Sequence, residues 1–353
     1  MKSITMMSHA DMTKGHGVLS VYDELVKLLE TYHSDKYTIK KNTLSKSDIY
    51  HYHTINPTFM LSMPIAKHRG ATVGFVHFVP ATVDESLRLW KIARLPFYWY
   101  MMKFYGCMDY IVTVNPTFVA ELVKAGIKAD KIKYIPNCVS SNGFFEMSSE
   151  EKSEYRKKYG IPSDRPVIIG VGQLQIRKGV VDFVELAKRN PDKYFMWLGG
   201  FSFGKITDGY DEIKAITENP PENLKFVGMV EREEMNAYYN AADILLLPSY
   251  AELFPMTILE AFNCKMPIIV RDLPEYHGVV SDYCVMCKNN DEFNENINAI
   301  SNDKDCYNEA RQKSIEASVY YSTENVAKIW DDFYDEVIAK SENKKKSKQR
   351  GGK

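Results

Sequence analysis

Short apolar runs of strand length alternate along the chain with longer stretches in which apolar positions recur at helical spacing. Ile4–Met7, Tyr37–Lys40, Asp48–His53, Val73–Phe78, Tyr110–Val114 and Lys133–Ile135 read as strands, with helical segments between them, the first from about Leu19 to Tyr32. A charged, loosely patterned stretch from Ser148 to Asp164 reads as a linker. The alternation then restarts at Val167–Val171, Tyr194–Leu198, Lys225–Val227, Ile244–Leu247, Pro267–Val270 and Tyr283–Met286. Alternating β and α elements imply parallel sheets covered on both faces, an α/β chain. Two Rossmann-like, doubly wound domains are expected, residues 1–150 and 151–322, with a ligand site in a cleft between them. A last helix, 323–340, and a basic tail without structure, 341–353, complete the pattern.

The stretch Ser249-Tyr-Ala-Glu-Leu-Phe-Pro-Met-Thr-Ile-Leu-Glu-Ala-Phe262 is the chemical centre of the sequence. It follows the apolar run Asp243–Leu247 and Pro248, and it opens a helix from Met256 to Cys264 with Pro255 at the first turn, where a missing N–H costs nothing. A loop joining a strand to a helix start directs free N–H groups and a positive dipole end at one spot, an anion site. Glu252 in the loop and Glu260 inside the helix are spaced Glu-x7-Glu. Carboxylates beside a phosphate site do not bind the phosphate; they accept hydrogen bonds from neutral hydroxyls, which suggests a sugar and a ribose.

Three further stretches add to this. Val167-Ile-Ile-Gly-Val-Gly-Gln-Leu-Gln-Ile-Arg-Lys-Gly179 reads as a strand, a glycine turn and a basic helix start, where Arg177 and Lys178 suit a diphosphate. Gly15-His-Gly17 follows the first strand, and glycines there permit close approach of backbone to a ligand. Val73-Gly-Phe-Val-His77 places a histidine at a strand end.

Together these motifs resemble the family-4 retaining glycosyltransferases of GT-B fold, over essentially the whole chain. The resemblance implies that Glu252 contacts the donor sugar and Glu260 the ribose of the nucleotide, with Phe254, Pro255, Met256 and Thr257 also in the donor site. Gln173 stands where the family usually has arginine, Lys178 matches the family lysine, and Arg177 could supply the guanidinium. It also implies that Gly15 and Gly17 face the diphosphate, that His77 lies beside the transferred sugar, and that main chain near Val230 holds the base. Ile135-Pro-Asn-Cys-Val-Ser140 resembles the family's Ile-Pro-Asn-Gly-Val-Asp near the interdomain hinge, and the helix 323–340 would cross back onto the first domain. Within the family the chain resembles bacterial diglycosyldiacylglycerol synthases. Transfer of glucose or galactose from a UDP-sugar to a monoglycosyl diacylglycerol is then expected, with the α configuration retained, no cofactor and no metal. His77, Lys178 and Glu252 are the implied catalytic set. A polysaccharide or teichoic-acid acceptor, or a non-catalytic partner subunit, are the alternatives.

Composition changes this picture at two points. The net charge of −1 argues against a general nucleic-acid binder, and six cysteines without a secretory signal fit a reducing, cytoplasmic setting. The segment Ser86–Tyr105 holds seven aromatics interleaved with Arg88, Lys91, Arg94 and Lys103. Trp90 and Trp99 with Lys91, Arg94 and Lys103 suit the headgroup level of an anionic bilayer, so a peripheral enzyme on the cytoplasmic face of the membrane is expected. A core helix is the competing assignment. His51 and His53 share a strand face but lack a third metal ligand of suitable spacing. Cys284-x-x-Cys287 reads as core, and Asp303-Lys-Asp305 as a helix cap.

Overall fold

A computed structural model describes the chain except residues 10–16, 78–90, 202–208, 253, 255 and 351–353. It forms two compact units, Met1–Cys138 with Thr323–Lys353, and Val139–Ser322. The chain therefore passes between units at Cys138 and Val139, twelve residues before the boundary expected from composition.

In the first unit six parallel strands, β1 (Lys2–Met7), β2 (Tyr37–Lys41), β3 (Ile49–Tyr52), β4 (Ala71–Val76), β5 (Tyr110–Thr113) and β6 (Ile132–Tyr134), are ordered β2-β1-β3-β4-β5-β6. The helices are α1 (Gly17–Tyr32), α2 (Pro57–Arg69), α3 (Lys91–Gly106), α4 (Thr117–Lys124) and, from the C-terminal end, Thr323–Arg350. Strand side chains alternate between faces. His51, His53, Phe75 and His77 therefore line one face, against Tyr22 of α1 and against Trp330 and Tyr334 of the terminal helix. Tyr52 points to the other face, packing on Phe59 of α2 and Phe104 of α3. Tyr37 Oη donates 2.7 Å to Asp331, and Tyr334 Oη is hydrogen-bonded to His51 Nδ1 at 2.9 Å, fixing the terminal helix to this sheet. The basic end, expected to lack structure, continues that helix to Arg350. Lys, Glu, Ser and Gln tolerate helix, and no Gly or Pro interrupts them before Gly351.

The second unit repeats the plan with β7 (Val167–Val171), β8 (Tyr194–Leu198), β9 (Leu224–Gly228), β10 (Ile244–Leu247), β11 (Ile268–Arg271) and β12 (Val285–Cys287), ordered β12-β11-β10-β7-β8-β9 and all parallel. Its helices are α5 (Ser149–Tyr159), α6 (Val180–Arg189), α7 (Tyr210–Glu218), α8 (Arg232–Ala241), α9 (Met256–Asn263), α10 (Asn290–Asn302) and α11 (Lys304–Tyr320), so the terminal helix becomes α12. Phe183, Phe195 and Trp197 form the aromatic centre of its core.

Two expectations are corrected here. The stretch read as a linker is helix α5, opened by a capping box between Ser148 and Glu151 and closed by left-handed Gly160. It has no apolar stripe to betray it. Arg156 holds it instead, donating to the Ala241 carbonyl at 2.9 Å and to Asp243 at 2.8 Å. The second correction concerns Arg177 and Lys178, which lie on a single 3-10 turn, Ile176–Lys178, before α6 rather than on its first turn. Gly179 separates them at φ 71°, and a Cβ there would meet the Pro248 carbonyl oxygen at 2.2 Å. Only glycine lets the turn close against the end of β10.

Candidate functional site

The carboxyl ends of β7, β8, β9 and β10 carry the candidate site, as doubly wound sheets require. Gly199 at the end of β8 has φ 124°, and a Cβ there would meet the Gly172 carbonyl oxygen at 2.0 Å. Gly172 N donates to Leu198 and Gly199 N to Gly228, so these loops meet backbone to backbone. Val230, half-buried, lies two residues beyond Gly228. Gln173 accepts from Gln175 at 2.7 Å and leads into the basic turn.

From that turn, Lys178 Nζ donates 2.5 Å to Glu252 in the loop after β10, and both side chains are largely buried. Burial pulls the Lys178 ammonium below its usual range, with the Glu252 charge opposing it. Arg177 binds the same loop from both ends of its residue: its carbonyl accepts from Tyr250 N at 2.8 Å, and its guanidinium donates to the Ala251 carbonyl at 3.4 Å. The structure thus brings Arg177, Lys178 and Glu252 together across 74 residues of sequence.

Helix α9 follows this loop. Met256 and Thr257 occupy its first turn, where N–H groups have no intrahelical acceptor, and the Thr257 hydroxyl has no hydrogen-bond partner among the described residues. Phe254 is buried against Tyr321, and Pro255 lies outside the described residues. Glu260 sits inside the helix, 5% exposed. Tyr239 Oη donates to it at 2.7 Å, and Arg232 approaches its other oxygen at 3.4 Å. Burial, then the Glu260 charge, pushes the Tyr239 hydroxyl well above its ordinary value, so it stays a donor. The sequence reading missed both partners. Their i, i+7 spacing on α8 puts them on one helix face, the signal that was available. The arrangement offers fixed cations and helix N–H groups to an anion, and oriented carboxylates to hydroxyls.

The remaining candidates lie in the first unit. His77 is buried, stacked on Phe75 with ring centroids 4.4 Å apart, and desolvation pushes its imidazole down to about 3, so the ring is neutral. Gly17 opens α1, while Gly15 lies outside the described residues. Trp90 is also outside them, and the side chains of Lys91 and Arg94 are likewise not described. Helix α3 divides the membrane and core alternatives between its faces. Leu95 and Trp99 are 78% and 69% exposed and Lys103 is exposed, whereas Met101, Phe104 and Tyr105 are buried. The exposure expected for the whole aromatic segment is therefore corrected for Phe104 and Tyr105, which fill the space above Tyr52 and Gly74. Asp303 caps α11 by accepting from the N–H groups of Asp305 and Cys306, and Cys284 and Cys287 are buried free thiols.

Two family profiles divide the chain between them: Glycosyltransferase Family 4 matches residues 16–142, and Glycosyl transferases group 1 matches residues 151–318. The chain belongs to this family of glycosyltransferases. Alpha-galactosylglucosyldiacylglycerol synthase of Streptococcus pneumoniae is 39% identical over 336 residues, covering 95% of this chain and 90% of that protein. Processive diacylglycerol alpha-glucosyltransferase of Acholeplasma laidlawii is 27% identical over 308 residues, 85% of this chain and 88% of the relative. The crystal structure of Anabaena HepE in complex with UDP and glucose matches with a TM-score of 0.74 at 15% identity, covering 95% of this chain and all of that one. The two parallel-sheet units are those of the GT-B fold.

Proposed function

We propose that this chain transfers a hexose, glucose or galactose, from its UDP-sugar to a hydroxyl of a monoglycosyl diacylglycerol, retaining the α configuration. The whole-chain likeness to the streptococcal glycolipid synthase carries this assignment. The geometry supports the donor half. Glu260, pre-oriented by Tyr239 and Arg232, accepts from the ribose, and the first turn of α9 with Arg177 and Lys178 receives the diphosphate. Charge develops on the departing UDP, where those fixed donors need no reorganisation. Glu252 accepts from the sugar hydroxyls. It is paired with Lys178, so the donor must share or replace that contact. A diphosphate oxygen takes the acceptor proton, and no protein nucleophile or metal enters the scheme. His77 carries its role by resemblance; a neutral imidazole brings one donor, one acceptor and no charge to the sugar.

The acceptor half rests on the first unit. Helices α2 and α3 both pack on Tyr52, and Tyr100 Oη of α3 donates 2.6 Å to the carbonyl of Ile55, two residues before α2. Neither contains an acidic residue. Together they expose Leu61, Ile65, Leu95 and Trp99 beside Lys67, Arg69 and Lys103. Apolar side chains flanked by cations suit an anionic lipid surface. No described helix is long and apolar enough to cross a membrane, so attachment would be to the surface.

The test incubates the pure protein with UDP-glucose or UDP-galactose, with and without monoglucosyldiacylglycerol in vesicles, and analyses the lipids. A diglycosyl lipid made without added metal is the expected result. Donor turnover indifferent to the lipid, or dependent on magnesium or manganese, would overturn the assignment.

A further inference from the structure

We infer that Arg271, acting with Asp182 and Tyr250, is the positioning residue that sets the Glu252 loop against the Lys178 turn. The inference rests on Glu252 contacting the donor sugar, as proposed above.

Arg271 ends β11, one strand away from the loop, and is 8% exposed. Its guanidinium is used on every side. Nε donates to the Pro248 carbonyl at 3.1 Å, one terminal nitrogen donates to Asp182 at 2.7 Å, and the other reaches the Lys288 carbonyl at 3.4 Å. Its carbon lies 4.1 Å from the centroid of the Tyr250 ring. Asp182, on the first turn of α6, is itself held by Asn290 at 3.0 Å. The ion pair thus ties α6, β11 and the loop after β10 into one frame.

Pro248 and Tyr250 flank Ser249, and Tyr250 lies two residues before Glu252. The Pro248 carbonyl held by Arg271 is the one against which Gly179 closes, beside Lys178. Tyr250 N donates to Arg177 on the same turn. One side chain therefore fixes both residues that set the loop's path to Glu252, at the point where the basic turn meets it. A lysine has neither the planar fork nor the stacking face for this. Glu260 is held by Tyr239 and Arg232 on α8 instead, so ribose contact and sugar placement are separable.

The experiment measures UDP affinity by calorimetry, and kcat and KM with UDP-glucose and UDP-galactose. The variants are Arg271→Lys, Tyr250→Leu and Tyr250→Phe, each also in a Glu252→Gln background. Tyr250 is half-exposed, so its variants fold even if Arg271→Lys does not. A loop displaced by about an ångström lowers kcat roughly 10–100-fold in Arg271→Lys and Tyr250→Leu. UDP affinity should stay within about threefold, and Tyr250→Phe, which keeps the ring but loses the hydroxyl bonded to Asp182, should lose less activity than Tyr250→Leu. In the Glu252→Gln background the further loss should shrink to about threefold or less, because the group being positioned is gone. The same fold-loss in both backgrounds, or UDP affinity falling in step with the melting temperature, would overturn the positioning role. If Glu252→Gln by itself leaves turnover unchanged, the Glu252 assignment fails first and the inference with it.

Discussion

Glu260 accepts from Tyr239 at 2.7 Å while a second oxygen faces Arg232, so protein partners fix the direction of its carboxylate. Glu260→Ala should weaken UDP binding by about 1–3 kcal/mol, and should also cost stability because a buried Tyr239 hydroxyl loses its acceptor. Tyr239→Phe separates the two effects: the carboxylate remains and only its aim is lost. Calorimetry should find a smaller affinity loss in Tyr239→Phe than in Glu260→Ala; equal UDP affinity in folded Glu260→Ala and wild type would remove the ribose role. Lys178 and Glu252 behave differently because they are paired with one another. Lys178→Ala should lower kcat/KM by roughly 10²–10³, the loss of one donor aimed at developing charge. Glu252→Gln should leave UDP affinity equal or tighter, since it frees the ammonium for the diphosphate, while kcat falls. A weakened UDP affinity in that variant would mean that the carboxylate serves the nucleotide instead.

At the scale of elements, α2 and α3 carry one prediction. Their inner residues, Phe59, Met63, Phe104 and Tyr105, are core, so changes there create cavities. Their outer residues are not. Replacing Leu61, Leu95 and Trp99 by serine should leave the thermal midpoint nearly unchanged, each exposed substitution costing about 0.5 kcal/mol or less. Sedimentation with vesicles containing anionic lipid should fall at the same time. Unaltered vesicle affinity would remove these helices from the membrane contact. The pairing of the two helices was not visible in sequence, because α2 has apolar residues on all sides and a proline, Pro64, inside it. Only the packing of both on Tyr52 shows which residues remain outside.

At the scale of the molecule, the two units differ in how they meet acid. His51, His53 and His77 are buried together in the first unit, among Tyr22, Phe75, Trp330 and Tyr334. Desolvation pushes His51 and His77 down to about 3, and His53 well below its usual value. Unfolding returns each to an ordinary pKa near 6.5, so the unfolded chain binds more protons below that pH. Their contribution is intact above about pH 6.5 and is lost as pH falls toward 3, at about 4 kcal/mol per pH unit for three protons. The second unit has one histidine, His277, which is exposed. Hydrogen exchange near pH 4.5 should therefore open residues 49–52 and 71–76 while residues 167–171 and 194–198 stay protected, an expectation set by the histidine range. Simultaneous loss of both sets would count against it. The sequence alone determined the alternation of elements, the two sheets and the sites of the Glu-x7-Glu and Lys178 motifs, because periodicity, turn residues and helix starts are local. Helix α5 escaped for the same reason, having no apolar stripe. What only the tertiary structure decided were the partnerships: Lys178 with Glu252 across 74 residues, Tyr239 with Glu260 across 21, and His51 with Tyr334 across 283. Such contacts depend on strand order and close packing, which bring together side chains that no local pattern relates.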